Sequence, residues 1–419
     1  MTSFTVRRIE PDEFGSYVRV MFWAAGRAAD DAFITERQKS FEIDRSFAAF
    51  EGGELIGTIG TRSLSMSLPG GRQVPIAAIG QGGVLPSHTR RGAMKELMFV
   101  ALRDALERGE PLAASTTSKW TLYGRYGWGP GNYKAEYRIA NLARATPRDL
   151  EIPEGSVRLA CAAEVLPALP PLHVRASRTP GGVPRDYAYW EGILRSMDAG
   201  LPLDPLVTSP SLPPAQYCLR RDAAGLVDGC AIYRIHQVWH KGLFQSELDI
   251  VFLIAASAEA SRALWLFLLG VDTIESVRLA HRPVDEPLRW LLKDGRRLET
   301  VDIEDHIWLR ILDPIRALQQ RSFPALSSSI RIKAHDPLQI VGKSTIEIMS
   351  NGLETQVAYC AAEPEVEMDI SVLSSLLLNG NCVRSLATAG LVSFDSERSL
   401  IKLACACAPI ENPFTDTSF

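Results

Sequence analysis

From Ala93 onward the apolar residues Met94, Leu97, Met98, Ala101, Leu102 and Leu106 recur at helical spacing, which predicts an amphipathic helix with one face packed on a sheet. A strand from Val74 to Val84 leads into it and stops at Pro86, leaving the polar turn Ser87-His88-Thr89-Arg90-Arg91-Gly92 between the two. Upstream, Phe4 to Ile9 reads as a strand, and Pro11-Asp12-Glu13 opens a helix reaching Arg27. Ser46 to Phe50 and Leu55 to Met66 form a hairpin around Glu51-Gly52-Gly53-Glu54. Pro111 to Thr116 is the next strand. After Leu142, prolines from Pro147 to Pro184 punctuate what reads as a linker and irregular segment. A second α/β unit follows, with strands Gly229 to His236, Ser246 to Leu253 and Ser276 to Leu279, a helix Ala258 to Leu269, and Ile307 to Leu312 as its last strand. From Asp313 a third unit begins. Ser329 to Lys333, Gly342 to Met349, Glu354 to Tyr359 and Val366 to Met368 read as an antiparallel sheet, with helical pieces at Asp369 to Leu378 and Val383 to Thr388.

A chain of 419 residues is long enough for two or three cores. Its 46% apolar and 22% charged content is that of a soluble globular protein, and a net charge of −4 offers no general surface for nucleic acid. There is no run of about 18 apolar residues to span a membrane. The first residues lack the apolar centre of a signal peptide and read as a strand. Seven scattered cysteines contain no Cys-x-x-Cys pair, and Cys405-x-Cys407, placed on a strand, has no further ligands nearby, so no metal is expected. A reduced, cytoplasmic protein is the natural reading.

The turn before the predicted helix is the chemically loaded stretch. A helix N-terminus leaves backbone N–H groups unpaired and carries partial positive charge. Gly92 allows a ligand close to the backbone, and Arg90 and Arg91 add full charges, making an anion site suited to a pyrophosphate. His88 could be mistaken for a base; shaping the turn is its ordinary role.

Arg90-Arg91-Gly92-Ala93 after a strand resembles the acetyl-coenzyme A loop of the GNAT acyltransferases. The block Tyr123-Gly124-Arg125-Tyr126-Gly127-Trp128-Gly129-Pro130 is more specific, and with that turn it resembles the enhanced-intracellular-survival (Eis) family of acetyltransferases. The resemblance runs the full length. It implies an α/β (α+β) chain: a catalytic GNAT domain at 1–145, a degenerate GNAT-like domain at 146–312 without cofactor, and a sterol-carrier-protein-like domain at 313–419.

For the chemistry, the resemblance implies acetyl-coenzyme A as co-substrate and, as acceptor, an amine of a small molecule (aminoglycoside- or polyamine-like, or a specialised metabolite) or a lysine, in a homo-oligomer, as a hexamer. Its donor would lie along Gly82, Gly83 and Val84, where the strand splays, and on Arg90, Arg91, Gly92, Ala93, Met94 and Lys95, with Ser118 and Lys119 beside the coenzyme arm. Tyr123 would be the general acid for the leaving thiolate, since a phenol of pKa about 10 is protonated at neutral pH. The base would be the terminal carboxylate of Phe419. Polyamine-accepting relatives carry an acid before the terminal Phe, where this chain has Ser418, and one on the first helix, where it has Arg27. An acid-poor pocket attracts polycations weakly. Two other readings remain: a different acyl-coenzyme A donor, for which Gly82 and Gly83 would make room, and a non-catalytic binding scaffold.

Overall fold

The computed structural model describes residues 4–38, 41–117, 119–151, 153–202 and 212–418. Contacts divide it into two units: residues 4–132 with 306–410 and Ser418, and residues 133–305 with 411–417.

The first unit starts with strand β1 (Thr5–Arg8), helix α1 (Phe14–Ala24) and helix α2 (Asp31–Gln38). Strands β2 (Ser46–Glu51), β3 (Glu54–Ser67) and β4 (Gln73–Val84) follow, then helix α3 (Ala93–Glu107), strand β5 (Leu112–Thr116), the short helix α4 (Trp120–Tyr123) and strand β6 (Gly129–Pro130). The sheet order is β1-β2-β3-β4-β5, then Ile307–Ile311, then β6. Both faces are covered, which is why β2 is apolar from Phe47 through Phe50. Phe47 and Ala49 pack with Leu97, Met98 and Leu102 of α3, while Ala48 and Phe50 meet Phe14, Val18 and Phe22 of α1. Burying a side chain of this size contributes about 1.5–3 kcal/mol.

The strand Ile307–Ile311 corrects the sequence reading. Instead of closing the second unit it inserts between β5 and β6, pairing Leu309 with Ala114 and with Gly129. Conversely, Tyr133–Ile139 belongs to the second sheet, between Glu299–Asp305 and Ile274–Arg282. Ile274–Arg282 lies parallel to Ser246–Ala255, and the helix Ala258–Leu269 connects the two. The supposed linker is also structured. It contains the strand Ser156–Ala160 and the helices Leu169–Ala176 and Tyr187–Asp198, with Pro170 and Pro171 in a first turn, where no N–H is required.

The third segment returns to the first unit. Its sheet is mixed rather than antiparallel, because Ile330–His335 runs parallel to Val366–Asp369. Cys405 and Cys407 lie at the end of a helix, Glu397–Ala406, not on a strand, so one is exposed and the other buried. Arg310 ties this segment to the first sheet. Fully buried, it donates to the carbonyls of Tyr126 (2.9 Å) and Ile311 (2.7 Å) and to Asp336 (2.6 Å).

Candidate active site

Strands β4 and β5 are parallel partners only from Ile76–Leu112 to Ala78–Ala114. Beyond that β4 stays on β3 and β5 stays on Ile307–Ile311, its neighbour on the other edge, so the β4–β5 pairing ends and, among the described residues, no strand pairs with the β4 end on that side. The parting coincides with an irregularity. Register shifts between Thr58 and Gly60, Gln81 takes φ +55°, and the Thr58 hydroxyl donates to the Gln81 carbonyl at 2.8 Å. The two expected glycines differ in role. A Cβ on Gly82 would meet only Met94, at 3.8 Å, whereas one on Gly83 would strike Ala24 of α1 at 2.6 Å. Gly83 is therefore demanded by helix packing. Val84 is half-buried against the core under α3.

After Val84 a single turn, Pro86–His88, leads to Arg90 (φ +65°) and Gly92 (φ +94°), which swing the chain into α3. Gly92 is the N-cap and has no side chain to fill it; a Cβ there would meet nothing within 4 Å. The first-turn amides, including those of Ala93 and Met94, thus have no capping side chain. Arg90 and Lys95 are exposed beside them. Arg91 is engaged: it pairs with Glu51 at 3.0 Å and donates to the Ser87 carbonyl at 3.3 Å. His88 shapes the same turn, with Nε2 3.1 Å from Glu51 and Nδ1 2.9 Å from the Ser87 hydroxyl.

Tyr123 lies at the end of α4, just past β5. Its ring meets Trp128 edge-on at 5.7 Å and lies 6.4 Å from Trp308, which in turn packs on Trp120 at 4.9 Å. Burial pushes the phenol above its ordinary value, and a hydrogen bond with Ser115 pulls the other way. The group therefore holds its proton throughout the neutral range. Lys119 caps the turn from an exposed position, its N–H bonded to the Thr117 hydroxyl at 3.1 Å. The glycines of the block are only partly an opening. Gly124 is free, but a Cβ on Gly127 would strike Ile370 at 2.7 Å, and one on Gly129 the Ser371 carbonyl at 2.0 Å. They admit the helix Ile370–Leu376 of the third segment.

Ser118 and Phe419 lie outside the described residues. The residue before the terminus is described: the Ser418 hydroxyl is 3.2 Å from His306 Nε2. His306 is buried and directly precedes Ile307–Ile311, with its N–H on the Asn132 carbonyl at 3.1 Å. Sequence reasoning missed Ser115, His306 and Trp308, since each is brought in by strand pairing that no local pattern records.

The models for an acetyltransferase (GNAT) domain match residues 5–131 and 181–311, and the model for a sterol carrier protein domain matches 315–415. An uncharacterised N-acetyltransferase of Streptomyces avermitilis is 30% identical over 332 residues, covering 76% of each chain. The chain belongs to the Eis-like GNAT N-acetyltransferases. N-acetyltransferase Eis of Mycobacterium tuberculosis is 29% identical over 384 residues, 87% of this chain and 86% of that one. The crystal structure of Eis1 from Mycobacterium abscessus, also 29% identical, superposes with a TM-score of 0.86 over 99% of this chain and 100% of the other. As in the Eis-like layout, tandem GNAT folds are followed by a sterol-carrier-like fold, and the enzyme is an N-acetyltransferase. Among the described residues no cluster of metal-ligating side chains occurs, and no helix is long and apolar enough to cross a membrane.

Proposed function

We propose that this Eis-like enzyme transfers the acetyl group of acetyl-coenzyme A to the amine of a small molecule, with Tyr123 as general acid. The parting of β4 and β5 into an uncapped helix start at Gly92 is the observation that carries the reading. Its unpaired backbone suits an extended pantetheine arm, and the amides of Gly92, Ala93 and Met94 suit the pyrophosphate, with Arg90 and Lys95 adding charge. Arg91 would join them by exchanging Glu51 for phosphate. When the amine attacks the thioester carbonyl, the carbon–sulfur bond breaks and the thiolate takes the Tyr123 proton. The attacking nitrogen loses its proton to the terminal carboxylate of Phe419, the role the family resemblance gives it.

The acceptor reading follows from where the acids are spent. Asp31 pairs with Arg19 at 2.7 Å, and Ser418 and Arg27 stand where polyamine-accepting relatives carry acids, so little negative charge is left to collect a polycation. A monoamine of specialised metabolism fits this better than an aminoglycoside or a polyamine. The seven thiols, all free, support a reducing cytoplasm, and the resemblance supports a homo-hexamer, which light scattering would check. The deciding experiment is calorimetry with acetyl-coenzyme A followed by thiol release with an amine panel. One site per chain and turnover with a monoamine are expected. No heat of binding would overturn the donor assignment, and faster turnover of spermidine the acceptor assignment.

A further inference from the structure

The second GNAT-like unit holds something besides its own core: residues 411–417 of the tail. Terminal segments ordinarily fray. This one is fastened at successive residues. The Phe414 N–H bonds the Pro180 carbonyl at 2.9 Å, and the Thr417 hydroxyl donates to the Val183 carbonyl at 3.1 Å. Thr415 and Thr417 are buried. Between them Asp416 faces His173, with Oδ1 3.0 Å from Nε2.

The state of His173 follows from its other nitrogen. Nδ1 accepts the Arg185 N–H at 3.0 Å, so it carries no proton of its own, and Nε2–H must be the donor to the Asp416 carboxylate. Both nitrogens of a buried ring are thus committed, and Trp190 stacks edge-on at 5.1 Å to fix its plane. Burial alone would raise the Asp416 carboxyl, but contact with His173 brings it below the ordinary carboxylate value. Asp416 therefore presents a carboxylate acceptor at neutral pH.

We infer that His173 and Asp416 form a latch through which the degenerate half holds the C-terminal tail, making His173 a positioning residue for acetyl transfer. A buried charged hydrogen bond is a costly way to gain stability but an effective way to fix register. The terminus is three residues past Asp416, and a reacting group displaced by about 1 Å can lose 10²-fold in rate. The inference rests on the reading that the terminal carboxylate completes the site.

The two nitrogens can be tested separately. His173→Asn keeps an acceptor near Nδ1 for Arg185 and loses the donor to Asp416; His173→Gln keeps a donor near Nε2. In the full-length enzyme, His173→Asn should lower kcat about 10–100-fold with KM for acetyl-coenzyme A unchanged, and His173→Gln should recover most of it. Carboxypeptidase should trim the His173→Asn tail several-fold faster than wild type. Thr417→Val, which removes a different tail anchor, should show the same two effects more weakly and keeps the test open if His173→Asn fails to fold. A His173→Asn enzyme with wild-type kcat and wild-type trimming overturns the latch, as does lost kcat without faster trimming. Full activity after deletion of Phe419 would overturn the base assignment instead, and trimming would still judge the latch.

Discussion

The two GNAT-like halves each carry a parallel strand pair joined by a helix, and they finish that motif in opposite ways. In the first, β4 and β5 part after Ala78 and Ala114, and the helix begins at an uncapped Gly92 with Arg90 and Lys95 exposed around it. In the second, the strands also lose their pairing, beyond Ile250–Leu279, but Arg282 reaches into the gap and donates to the Leu253 carbonyl at 3.3 Å while pairing with buried Glu286 at 2.8 Å. Its helix start is closed by Ser257, whose hydroxyl accepts the Ala260 N–H at 3.0 Å; both helices carry an acid in the first turn, Glu96 and Glu259, but only the first is preceded by arginines. The same topology ends in an open helix start or a sealed core according to three local choices: the cap residue, the basic residues before the helix, and what fills the gap.

The largest expected effect comes from unsealing the second half. Arg282→Met leaves Glu286 buried without its partner and should cost about 3–5 kcal/mol in urea unfolding, with the affinity for acetyl-coenzyme A unchanged. If calorimetry then showed two donor sites per chain, the Arg282 plug alone would distinguish the halves. Next, Tyr123→Phe should reduce kcat about 10²–10³-fold with donor affinity intact, because only the phenolic hydroxyl proposed as the acid is lost. Since the Tyr123 phenol titrates above its ordinary 10.0, the alkaline limb of wild-type kcat should lie above that pH. Gly92→Ala places a side chain at φ +94° and should cost about 1–2 kcal/mol of stability while weakening donor binding. An unchanged dissociation constant would separate the helix start from the donor. The smallest effect is Ser257→Ala, about 1 kcal/mol from a lost cap, read by thermal melting, with donor affinity untouched.

What the sequence shows of this architecture depends on whether the signal is local. The periodicity from Met94 to Leu106 and the turn before it carry their own geometry, and β4, Gly92 and α3 stand where the pattern puts them. Ile307-Trp308-Leu309-Arg310-Ile311 is legible as a buried strand, but an apolar run records no address, and its partner sheet lies some 190 residues back. Pro170 and Pro171 hide a helix because a first turn tolerates what an interior rejects. Gly127 and Gly129 look like an opened site and are in fact seats for Ile370 and Ser371, a distinction that only the distant packing partner makes. His306 is silent for the same reason: nothing around it foretells that Ser418 will be its neighbour.

The insertion of Ile307–Ile311 between β5 and β6 bears on how the protein is made. During synthesis, β5 is finished long before the strand that must cover it exists; at about 5–20 residues per second the wait is roughly ten to forty seconds. For that interval Leu112–Thr116 presents an apolar, unpaired edge, the kind that recruits other chains. The first half therefore cannot close as a nascent fragment, and a ribosome stalled anywhere before Ile311 releases an aggregation-prone chain. Completion of the first sheet certifies that the second half has already been translated.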